Sequence, residues 1–191
     1  MRLTVERRVD DPTGELWALY ERAFEDLRTL AVQRHVMNHA EFSALMAEER
    51  VEKYVVTDDG GGVAALATMT NELPVLPLIS PEYFAHRWPK LYAAGRVWYV
   101  SFVAVDPVHH NAGVMNRIID RMCQEAGGAD GGGTADDGVG GVICVDICEH
   151  REFAQRLPTA IERQAGRHTP GVQRQRLDAQ VYWAYEFPTP A

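Results

Sequence analysis

Val97-Trp98-Tyr99-Val100-Ser101-Phe102-Val103-Ala104-Val105-Asp106-Pro107-Val108-His109-His110-Asn111-Ala112-Gly113-Val114-Met115 is the stretch on which the fold turns. Its first nine residues are apolar at nearly every position, the pattern of a strand buried on both faces. A sharp polar turn with a proline and a glycine follows. A helix is then entered directly, with Val114, Ile118, Ile119 and Met122 as its apolar stripe and Gly127 as its stop. The opening amides of a helix have no partner within it and mark the positive end of its dipole, so a phosphate or pyrophosphate can be held there by backbone alone.

Toward the amino terminus, residues 3–9 alternate apolar and polar side chains and predict an opening strand. A helix should follow, capped by Asp11 or Thr13, with Pro12 tolerated at its first turn. Leu16, Trp17, Tyr20, Phe24, Leu27 and Leu30 recur along it at helical spacing. A second helix begins near Asn38, which can form a capping box with Glu41, and carries Phe42, Leu45 and Met46 on one side. Residues 51–57 and 63–70 are β-branched runs separated by Asp58-Asp59-Gly60-Gly61-Gly62, a hairpin signal. Residues 72–95 form an apolar, proline-rich insertion with a short helix expected over 81–88.

Toward the carboxyl terminus, residues 127–141 are rich in Gly and Asp and predict a flexible surface loop. Their aspartates would repel phosphate, and they lack the Gly-Lys-Ser/Thr ending of a nucleotide loop. Residues 142–147 predict a short buried strand. Helical sequence starts at Arg151 and is broken by Pro158. Residues 179–187, with Val181, Trp183, Tyr185 and Phe187 on one face, predict a last strand. The order is β-α-α-β-β-(insertion)-β-α-β-α-β, an α/β domain with a mixed sheet.

The whole chain has 191 residues, which suits one domain at roughly 150 residues per domain. Its 27 acidic and 19 basic side chains leave a net charge of −8, against a broad nucleic-acid footprint. Three cysteines (Cys123, Cys144, Cys148) without a CxxC pair argue against a disulfide framework and for a reducing cytoplasm. The amino terminus has no apolar core of a signal peptide, and no apolar run is long enough to span a bilayer. His35, His39, His86 and His168 share no metal-ligand spacing, so no metal site is expected.

The turn after residue 105 resembles the acyl-CoA-binding motif of the GNAT N-acyltransferase superfamily, V-x-P-x-x-[RQ]-G-x-G-x-[GA]. Val105 and Pro107 match; His110 takes the Arg/Gln position, Asn111 the first glycine, Gly113 the second and Met115 the third. The element order matches as well, and residues 177–183 resemble the family's final strand. The resemblance implies a GNAT-like mixed, mostly antiparallel sheet with a parallel pair of central strands, four and five, flanked by helices. It implies acetyl-CoA or another acyl-CoA as donor. Val103, Ala104 and Val105 would run along the pantetheine arm, and His110, Asn111, Ala112, Gly113, Val114 and Met115 around the pyrophosphate. Asn tolerates the left-handed conformation of a glycine, whereas Met115 is not small and His110 carries charge only part of the time near neutrality. These departures imply weaker or altered cofactor binding.

A primary amine on a small molecule would attack the thioester directly, with protein groups supplying proximity, a base and oxyanion stabilisation. Many relatives place a carboxylate on the fourth strand, where this chain has Ser101, which could orient a water. Glu149 and His150, at the end of a parallel strand where α/β active-site groups gather, are the first choices for acid–base work; the plain alternative is that they open a solvated helix. Tyr99 and Tyr182 are the remaining proton-donor candidates. The insertion reads either as an extra layer of core or a homodimer contact through Tyr83, Phe84 and Trp88, or as a wall shaping an acceptor or long-acyl pocket. A longer acyl donor, on CoA or a carrier protein, and an acyl-CoA-binding module without turnover are the alternatives to short-chain transfer.

Overall fold

The β-branched runs on either side of residues 58–62 pair with one another and seed the sheet. In the computed structural model, which describes residues 1–30, 36–110, 112–127, 141–149 and 155–179, β1 spans Arg2–Glu6, and β2 (Glu52–Thr57) and β3 (Val63–Thr70) form an antiparallel hairpin. The Asp58 carboxylate closes the turn by accepting from the Gly60 and Gly62 amides at 2.8 and 2.9 Å. Gly61 there has φ +87°, which side chains resist. β1 pairs beside β2, and β4 (Val97–Val105) beside β3, both antiparallel. β5 (Val142–Val145) joins β4 in parallel, giving the order β1-β2-β3-β4-β5. This is the mixed, mostly antiparallel sheet with one parallel pair that the sequence predicts. The strand expected over 179–187 lies outside the described residues beyond Ala179.

Helices cover both faces. On one, α1 (Glu15–Phe24), α2 (Leu27–Leu30) and α3 (His39–Ala47) bury Leu16, Leu19, Tyr20, Leu27, Phe42 and Met46 against Leu66, Phe102 and Ala104. The single helix expected through Leu30 is divided. Once Tyr20 and Phe24 seat on Phe102 (5.1 and 5.9 Å between ring centres), the chain restarts a short turn on the Glu25 and Asp26 carbonyls. Asp11 caps α1 from outside the helix, accepting from Leu16 and Trp17 at 3.2 and 2.9 Å. The capping box at α3 is complete: Asn38 accepts from the Glu41 amide at 3.0 Å, and Glu41 from the Asn38 amide at 2.7 Å.

In the insertion, α4 (Pro81–Arg87) forms as the sequence predicts, and a second helix, α5 (Pro89–Ala93), follows it. Phe84 and Leu91 are buried there with Leu73, Val97 and Cys144. The opposite face of the sheet is covered by α6 (Val114–Gly127) and α7 (Arg156–His168), where Val114, Ile118, Ile119 and Met122 meet Tyr54, Ala67 and Val100. Pro158 does not interrupt α7. It occupies the third helical position, where an amide has no intrahelical partner to lose. Residues 151–154, read as the start of this helix, lie outside the described residues. Among the described residues no helix is long and apolar enough to cross a membrane.

One buried cation ties three segments together. Lys53 on β2 is fully buried, and its ammonium donates to the carbonyls of Arg7 (2.7 Å), Val51 (2.9 Å) and Glu48. The β1 exit, the end of α3 and the start of β2 thus share one donor. Lys53→Met keeps the volume and removes the shared donor; the buried Val51 carbonyl is orphaned, the Arg7 carbonyl lies at the surface, and the Glu48 carbonyl keeps the Val51 amide. One orphaned buried carbonyl costs about 1–3 kcal/mol, less the relieved desolvation of the charge, so a net loss of about 1 kcal/mol is expected, read as a lower denaturation midpoint at unchanged slope.

Candidate active site

The site is built on an irregularity in β4. Thr68 of β3 pairs with Phe102 and Met69 with Val100, so Ser101 is an extra residue without a partner on β3, a β-bulge. Side chains alternate in a strand, so one extra residue exchanges the two faces beyond it. Before the bulge, Trp98 and Val100 face α6, and Val97 and Tyr99 face the insertion. After it, Val103 and Val105 face α6, and Phe102 and Ala104 face α1. Two buried hydroxyls belong to this irregularity and have no hydrogen-bond partner among the described residues: Ser101 Oγ itself and Thr68 Oγ1 opposite Phe102.

The bulge is also where β5 is lost. The parallel pairing runs from Val97↔Val142 to Val100↔Val145 and stops, while β4 continues to Val105. Residues 101–105 therefore present an edge that β5 does not cover. Ser101, Val103 and Val105 line a groove there, joined by His110 and Met115 from the following turn and by Asp146, Cys148 and Glu149 from the far side.

The turn at the end of that edge is held firmly. Asp106 accepts from the Val108 amide at 3.0 Å and from Arg22 of α1 at 2.9 Å. Partial burial opposes ionisation of Asp106, but the amide and the guanidinium outweigh it and hold its carboxyl below the usual range. His110 Nε2 donates to the Val105 carbonyl at 3.1 Å, tying the ring to the strand it follows. Gly113 then adopts φ +69° immediately before α6, and a Cβ built on it would meet nothing within 4 Å. α6 therefore opens, among the described residues, next to a glycine with room at its Cβ position, beyond the edge of β4 that β5 does not cover.

The residues expected to hold a cofactor contribute differently. Val103 and Val105 are half-buried on the groove, and Met115 also packs partly into the α6 core. Ala104 and Val114 bury their side chains completely, leaving only backbone to offer, and Ala112 is exposed. Asn111 lies outside the described residues. Of the acid–base candidates, Ser101 is in the bulge, His150 lies outside the described residues, and Glu149 is exposed and paired with Arg176 at 3.4 Å.

One polar pair was not anticipated. The Tyr99 hydroxyl donates to Asp146 Oδ1 at 2.9 Å, linking β4 to the residue that follows the last pair of β5. Burial, followed by the charge of Asp146 and this hydrogen bond, pushes the Tyr99 phenol well above its ordinary range, so it stays a neutral donor. Tyr182 lies outside the described residues. Asp146 is the one acidic residue in Val142-Ile143-Cys144-Val145-Asp146-Ile147-Cys148. A charge inside an apolar run is the signal that could have marked it. Among the described residues no three His, Cys, Asp or Glu side chains converge as metal ligands would.

No protein-family model matches the chain, and no curated protein matches it. Among solved structures it is similar to two mutant forms of the BH1408 protein of Bacillus halodurans. A tetramutant superposes with a TM-score of 0.54 at 14% identity, and another mutant with 0.52 at 15%; each match covers 96% of this chain and 100% of the other. An aminoglycoside acetyltransferase, meta-AAC0020, from an uncultured soil metagenomic sample is similar with a TM-score of 0.49 at 12% identity, covering 96% of this chain and 97% of that one. At such identities the likeness to BH1408 concerns the fold.

The three thiols differ in burial. Burial pushes Cys144 up to about 12 and, with Asp120 nearby, Cys123 up to about 11, whereas Cys148 is only half-buried. Thiolate is the reacting form. At pH 8 a thiol alkylator should therefore label Cys148 alone in the native protein, and all three after unfolding, as read by peptide mass spectrometry.

Proposed function

We propose that the protein is an N-acyltransferase moving an acetyl or other short acyl group from acyl-CoA to a small-molecule primary amine. One observation carries this reading: β4 runs past its pairing with β5, and the turn after it leads to a left-handed glycine at which a helix opens and where an added Cβ would meet nothing within 4 Å among the described residues. A strand edge offers alternating N–H and C=O groups to an extended amide-bearing chain, as a further strand would. The pantetheine arm is such a chain, and residues 103–105 supply that edge. The pyrophosphate belongs at the amides of residues 113–115, in the field of the α6 dipole. Bound acyl-CoA would bring an activated acyl thioester, and the chain's part is to align it and manage protons.

The net negative charge of the protein is compatible with this arrangement, because backbone amides attract an anion without lysines. Ser101 stands where β4 and β5 part; its hydroxyl, buried and without a partner among the described residues, would orient a water or the reacting carbonyl once a bound donor opens the site beside it. Glu149 and His150 follow β5 and would serve at the mouth of the site. The neighbouring side chains of the insertion, among them Leu76 and Ile79, would form its apolar wall.

Thermal shift with CoA, acetyl-CoA and longer acyl-CoAs tests the donor, since a ligand of the native state raises apparent stability. Thiol release against a panel of amines tests the reaction. Gly113→Trp should abolish the acyl-CoA shift by filling the space before α6, while Gly113→Ala should cost about 1 kcal/mol of stability through its positive φ. An unchanged shift in the tryptophan variant overturns the placement of the donor. Binding by the wild type without thiol release from any amine would instead make the protein an acyl-CoA-binding module.

A further inference from the structure

We infer that Asp146, held by Tyr99 where β4 and β5 part, is the group that receives the acceptor's ammonium and takes its proton, and that the acceptor is a primary amine on an apolar body. The inference rests on the acyl-transfer reading above and names the acceptor end of the same groove.

The geometry begins with position. Asp146 follows directly on the last pair of the parallel ladder, Val100↔Val145, so it stands beside Ser101, where the sheet opens. Its only hydrogen bond among the described residues is the one from Tyr99 to Oδ1, and no guanidinium or ammonium pairs with it there. Glu149, three residues on, has Arg176 at 3.4 Å. Of these two groove carboxylates, Asp146 is therefore the one that no cation pairs with among the described residues, and its Oδ2 is left for a ligand.

Tyr99 supplies the rigidity. Its ring meets Phe84 of α4 edge-on at 6.1 Å between centres, and Phe84 stacks on Trp88 at 6.4 Å. The phenol, neutral across the physiological range, can only orient the carboxylate and does not compete as a base. The same aromatic wall, continued by Leu78 and Tyr83 (70% and 40% exposed), borders the groove, so the groove has apolar surface on the insertion side, and Asp146 stands exposed at its β5 end. A carboxylate beside apolar surface suits an ammonium whose substituent is hydrophobic.

The step balances as follows. Asp146 takes one proton from R–NH3+, and the freed nitrogen pair forms the C–N bond at the carbonyl carbon of the acyl thioester. The C–S bond breaks with its electrons on sulfur. The second proton lost by nitrogen ends on that sulfur, and Asp146 returns its own proton to solvent. Tyr99 is a positioning residue throughout.

The test pairs binding with turnover, using phenethylamine, the isosteric neutral phenethyl alcohol, and acetyl-CoA. By thermal shift, wild type should be stabilised by the amine and not by the alcohol, and Asp146→Asn should erase that difference while keeping the acetyl-CoA shift. In thiol release, Asp146→Asn should lower kcat by at least 100-fold, the usual reach of a general base. Tyr99→Phe, which keeps the ring against Phe84, should raise KM for the amine several-fold with a smaller loss of kcat. Equal effects of amine and alcohol on the wild type, or a kcat within threefold in Asp146→Asn, overturn the assignment and leave acyl transfer standing. Absence of thiol release from the wild type with every amine overturns acyl transfer and this inference together.

Discussion

A single residue without a cross-strand partner governs this structure. Ser101 shifts the alternation of β4, so that Phe102 and Ala104 fit under α1 while Val103 and Val105 pack toward α6. Without the insertion of one residue, Phe102 would press on α6 and the aromatic contacts with Tyr20 and Phe24 would be lost. A bulge also bends and twists the strand that carries it, and the pairing with β5 ends at the same level. The core on two faces and the opening between two strands therefore have one cause.

Electrostatics divides the groove by the kind of group that supplies the field. At the α6 end it comes from backbone amides and a helix start, kept in place by Asp106 and its guanidinium partner Arg22. At the β5 end it comes from a side-chain carboxylate oriented by a phenol. Between them lie valines and Ser101, whose hydroxyl has no partner among the described residues. An anion and a cation could thus be drawn to opposite ends of one apolar channel in a protein that is acidic as a whole.

Much of this was legible in the chain. The bounds of β4, the stripe of α6, the hairpin around Asp58 and the capping box at Asn38 each follow from local rules, and the structure forms all four. The bulge left no mark, because a strand apolar at nearly every position has no alternation for an extra residue to break. Asp146 was read as part of a strand over 142–147, since nothing local says that pairing stops at Val145. The division of α1 from α2 depends on Phe24 meeting Phe102, a contact between residues far apart in sequence. Pro158 reads as a break in the sequence because its distance from the helix start depends on where the helix starts, which no local signal marks.

The strand ladder also has a temporal reading. β1 to β4 pair antiparallel as neighbours in the described order, whereas β5 reaches β4 only after α6 and matches it over four residues. Loop-closure entropy is larger for that return, and few backbone pairs reward it. Its glycine threshold is tight as well: a methyl group on Gly141 would lie 2.7 Å from the Ala126 carbonyl oxygen. In hydrogen exchange the amides of β5, an edge strand of the described sheet, should thus be renewed more quickly than those of β4 beside it, a hinge-like margin at the place where the groove begins.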